Sequence, residues 1–87
     1  MKNRTNKNAK PEPTAAQMYA ARRNDIARLL DVLDMELAKH AERAQADTRN
    51  WGFAGDLQKV RSDLIDTTAF ISGMERDAVE GFLADAE

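Results

Sequence analysis

IARLLDVLDMELAKHAERA, residues 26–44, is the stretch on which the fold turns. Its inward positions are Ile26, Leu30, Leu33, Leu37, His40 and Ala44. They step by four, three, four, three and four, which is the seam of an α-helix and too irregular for a strand. Working outward, no Gly or Pro interrupts the chain from Ala15 to Thr48. Upstream, Pro11 and Pro13 keep a helix from starting early, and Thr14-x-x-Gln17 has the form of a capping box. Downstream, Asn50-Trp51-Gly52, with Gly55 close behind, punctuates the middle of the chain as a turn.

A second periodic run follows: Phe53, Leu57, Val60, Leu64, Ile71, Ala78 and Phe82, loosening near Gly73. The fold class expected is therefore all-α, an antiparallel two-helix hairpin. Helix 1 spans about 14–48, the turn about 49–52 and helix 2 about 53–86, each helix roughly 50 Å long. Folding back about the turn sets Ala44 opposite Leu57, Leu37 opposite Leu64, Leu30 opposite Ile71 and Tyr19 opposite Phe82. Apolar meets apolar throughout.

That hairpin has too little interior to stand alone. Of the hydrophobic 43% of the 87 residues, 15 are alanine, leaving a thin supply of large side chains. Yet the stripes are wider than a two-helix contact. Leu29, Ile65, Val79 and Leu83 flank the seam, and Val32, Met35, Phe70 and Met74 lie farther round. These eight residues are the expected dimer or partner interface. The economical arrangement is a homodimer, two hairpins closing a coiled-coil-like four-helix bundle. Docking on a different protein is the competing use. Gly73 and Gly81 would admit a close-packed neighbour there.

The material for catalysis is sparse. There is no cysteine, hence no disulfide, thiolate ligand or thiol nucleophile, and there is one histidine and one tyrosine. Glu36-x-x-x-His40 lacks the Glu-x-x-His spacing of bundle metal sites. No enzymatic activity, metal or cofactor is expected. His40 reads instead as a polar seam residue facing Arg61, able to fix register. Arg23, near Glu75 and Glu80 under the same pairing, reads as the second polar seam residue, held in an ion pair. Trp51 and Phe53 would cap the bundle at the turn, with Gly52 and Gly55 allowing close helix approach. No apolar run reaches the ~18 residues of a membrane span, and no apolar export segment opens the chain, so a cytoplasmic protein without membrane contact is expected.

Charge is graded along the chain beneath a net −2. The first 13 residues form a basic tail without large apolar side chains after Met1, expected to be disordered and to fold back on the acidic end of helix 2. The middle is balanced, and residues 50–87 are acidic. Asp56 would sit in the first turn of helix 2, where the helix dipole favours it. Two functional readings follow. The first is a non-enzymatic interaction or regulatory module acting as a self-associating hairpin. The second is a nucleic-acid-binding regulator using the basic arm with Arg22, Arg23 and Arg28; so few charges give weak, salt-sensitive binding.

Overall fold

The computed structural model describes residues 12–86, and they form three α-helices and no strand. Helix α1 runs Ala15–Ala46, α2 Trp51–Ser72 and α3 Arg76–Ala86. The basic tail expected at 1–13 lies outside the described residues except for its last two positions. The chain divides after Lys39 into two compact units, the second beginning at His40 within the last turns of α1.

In the first unit the capping box forms as its spacing requires. The Gln17 amide donates to Thr14 Oγ1 at 3.1 Å, and the Thr14 amide donates to Gln17 Oε1 at 2.9 Å. Two amides that the helix leaves without internal partners are thereby satisfied. Over its 32 residues α1 has no buried residue. Met18, Leu33 and Leu37 are half-buried, whereas Tyr19, Ile26, Leu29, Leu30, Val32 and Met35 are exposed.

The second unit opens with a tight link. The Asp47 amide bonds the Ala44 carbonyl and the Asn50 amide bonds the Asp47 carbonyl, so α1 ends two residues before the expected 48. Asn50 sits in extended backbone as the N-cap of α2, its Oδ1 accepting from the Gly52 amide at 2.8 Å. Helix α2 therefore begins at Trp51, two residues ahead of the expected 53. Asp56 consequently falls beyond the first turn, which contains no acid.

The single second helix expected over 53–86 is instead two helices. Gly73 stands in the left-handed region at φ 76°, its amide bonded to the Ala69 carbonyl, and ends α2. Without a Cβ, glycine adopts this conformation at no steric cost. The Met74 amide takes Ser72 Oγ, and the Glu75 carbonyl accepts from Ala78 and Val79 to start α3. Asp77 in the first turn of α3 suits the positive end of its dipole.

The bend packs α3 against α2. Ile65 and Val79, 3% and 6% exposed, are the buried hydrophobic residues. Ser62, Ile65 and Ala69 mark the covered face of α2; Arg76, Val79, Glu80 and Leu83 mark that of α3. Each set recurs at helical spacing, with Val79 and Glu80 lying three and four residues after Arg76.

Candidate interaction surface

Two polar side chains, His40 and Arg76, hold the link and the bend. Near the link, His40 Nε2 lies 3.0 Å from Asp56 Oδ2, and its ring meets Phe53 edge-on with centroids 5.3 Å apart. The His40 side chain is 13% exposed, so the carboxylate and the aromatic edge fill most of its surroundings. His40 is thus a polar residue at the junction of α1 and α2, but its partner is Asp56 and not Arg61.

The two aromatics expected to cap the bundle differ in exposure. Phe53 is half-buried against His40, while Trp51 is 85% exposed beside Thr48, Arg49, Asn50 and Ala54. The two glycines have different roles from the close approach expected of them. A Cβ on Gly52 would stand 2.9 Å from Asn50 Oδ1, so its bareness serves the cap; Gly55 faces open space.

The second anchor, Arg76, is absent from the sequence expectations. Its Nη1 donates to the Ser62 carbonyl at 3.3 Å and to Asp66 Oδ1, and Nη2 donates to Ser62 Oγ at 3.1 Å. Nε pairs with Glu80 at 3.6 Å along α3. The planar fork of the guanidinium reaches three acceptors on α2 at once, which a lysine cannot do. Its signal was readable: Ser72-Gly73 is a turn dipeptide, and Arg76 is the sole cation after Arg61 among many acids.

The eight residues expected at an interface separate into two groups. Ile65 and Val79 are buried and Leu83 half-buried on the covered faces of α2 and α3, so their apolar surface is already used within the chain. The reason is the Gly73 bend, which rotates α3 out of the phase of α2 and brings these flanking positions inward. Leu29, Val32 and Met35 on α1, with Phe70 at the end of α2 and Met74 at the bend, are exposed. Phe70, at 83%, is nearly as open as an aromatic side chain can be. Gly73 is explained by its backbone, and Gly81 faces open space.

Arg23 lines a shallow hollow with Tyr19, Ala20, Asn24 and Ala27, and makes no ion pair among the described residues. Glu80, one of the acids expected near it, is engaged by Arg76. The remaining ion pairs run along single helices: Lys39 with Glu36 at 3.0 Å and Lys59 with Asp63 at 2.6 Å. The hydrogen bond and charge of Asp63 hold the Lys59 ammonium above its ordinary pKa. Among the described residues no group of three or more metal-binding side chains converges, and no helix is long and apolar enough to cross a membrane. Compared with family models, with curated proteins and with solved structures, the chain matches none.

Proposed function

We propose that the protein is a non-enzymatic interaction module, a self-associating helical hairpin that docks on or regulates another protein. The observation that carries this reading is α1. A 32-residue helix with a regular apolar seam and no buried residue has a stripe that water covers at a cost of about 25 cal/mol per Å². Exposed Phe70, Ile71 and Phe82 add to the surface that a partner would cover. In the proposed assembly α1 folds antiparallel on the rest of the chain, and two such hairpins close a four-helix bundle.

The test is the mass of the purified chain by light scattering or sedimentation at micromolar concentration. The expected result is a dimer whose thermal midpoint rises with protein concentration. A monomer that melts cooperatively would overturn the proposal. Titration of labelled RNA and DNA at two salt concentrations distinguishes the nucleic-acid reading, because binding through Arg22, Arg23 and Arg28 would fall steeply with salt. Tight binding to RNA or DNA that falls steeply with salt would displace the interaction-module reading.

A further inference from the structure

The exposed face of α1 around Leu29 has an internal symmetry. Ile26 and Val32 lie three residues before and after Leu29, and all three side chains are exposed. At 100° per residue the outer two fall about 60° to either side of the central one, with Leu33 and Asp25 about 40° to either side, so the patch is apolar apart from Asp25. Arg22 and Glu36 lie seven residues before and after Leu29, within about 20° of its direction and roughly 10 Å away along the axis. Reading the face in either direction gives apolar residues at the centre and at three residues' distance. At seven residues' distance it gives opposite charges.

A helix with that pattern complements a reversed copy of itself. We infer that a second copy of this chain seats antiparallel on this face of α1, with the two-fold axis passing beside Leu29. Leu29 then meets the partner's Leu29, Ile26 meets the partner's Leu33 on one side, Val32 lies beside the partner's Asp25 on the other, and Arg22 meets the partner's Glu36. Each heterologous contact is made twice, as an isologous interface requires. A parallel pairing would set Arg22 beside the partner's Arg22 and Glu36 beside the partner's Glu36, so the charges choose the antiparallel one. Among the described residues Arg22 has no ion-pair partner, and Glu36 holds only Lys39, one turn along the same exposed helix surface. That short-range pair yields easily, because exposed ion pairs contribute little. This inference rests on the self-association proposed above and specifies its face and polarity.

Charge reversal tests it on the full chain, since Arg22 and Glu36 are both exposed and their exchange leaves folding intact. In sedimentation equilibrium, Arg22→Glu and Glu36→Arg each weaken dimerisation about tenfold, through two repulsive pairs per dimer. The double variant Arg22→Glu/Glu36→Arg recovers the parent affinity. The absence of cysteine permits a second readout with single spin labels. Labels at Arg28→Cys come close across the axis, being offset by only about 3 Å along it, whereas labels at Ala21→Cys are about 24 Å apart along it. A dimer that ignores the charge reversals, or gives equal distances at both labels, overturns this interface while leaving self-association standing. A parent chain that is monomeric overturns both.

Discussion

Arg76 shows how much of a small helical unit can hang on one side chain. Its guanidinium joins the Ser62 carbonyl, the Ser62 hydroxyl and Asp66 on α2, and Glu80 on its own helix. Arg76→Met removes the donors and leaves Ser62 and Asp66 without their partner, at an expected cost of about 1–2 kcal/mol in urea unfolding. Arg76→Lys recovers little of it, because one ammonium cannot span three acceptors. A lysine variant as stable as the parent would refute the fork. Local features of this kind were unevenly legible in the sequence. Thr14 and Gln17 could be paired from spacing alone, since both ends of that cap lie within one turn. The partner of His40 could not be, because it depends on where the link ends. With α1 ending at Ala46 and α2 starting at Trp51, the acid within reach of His40 is Asp56 and not Arg61.

Among the helices, the Gly73 break governs what the rest can do. The periodic run read as one helix over 53–86 because α3 is itself amphipathic. A helix-period pattern therefore continues across a three-residue interruption, and only its phase changes. That change of phase converts Val79 and Leu83 from flanking positions into the covered face of α3. Gly73→Ala forces a Cβ into the left-handed region, costing about 1–2 kcal/mol if the bend persists. The thermal midpoint falls accordingly, and Gly81→Ala, in open space within α3, raises it by comparison. A Gly73→Ala variant with an increased midpoint would mean that α2 and α3 gain more by straightening into one helix. For α1 the seam read correctly as helical, but periodicity identifies an apolar face without naming what covers it.

For the molecule as a whole, the large apolar residues are divided between a small packed unit, Ile65 and Val79 at its centre, and a helix that buries nothing. Burial of a few side chains, worth roughly 1.5–3 kcal/mol each, is small against the ordering entropy of some 75 residues. Association is the remedy that leaves the sequence unchanged, and it makes stability depend on concentration. Trp51 offers a direct view of that step. It is the single tryptophan of the chain and stands 85% exposed as the first residue of α2. In the free protein its fluorescence is expected to be that of a hydrated indole, readily quenched by iodide. A partner seated over the link would shift the emission to the blue and shield it, whereas pairing through the Leu29 face would leave it unchanged. One chromophore, already in place, thus distinguishes which surface a bound molecule occupies without any label being added.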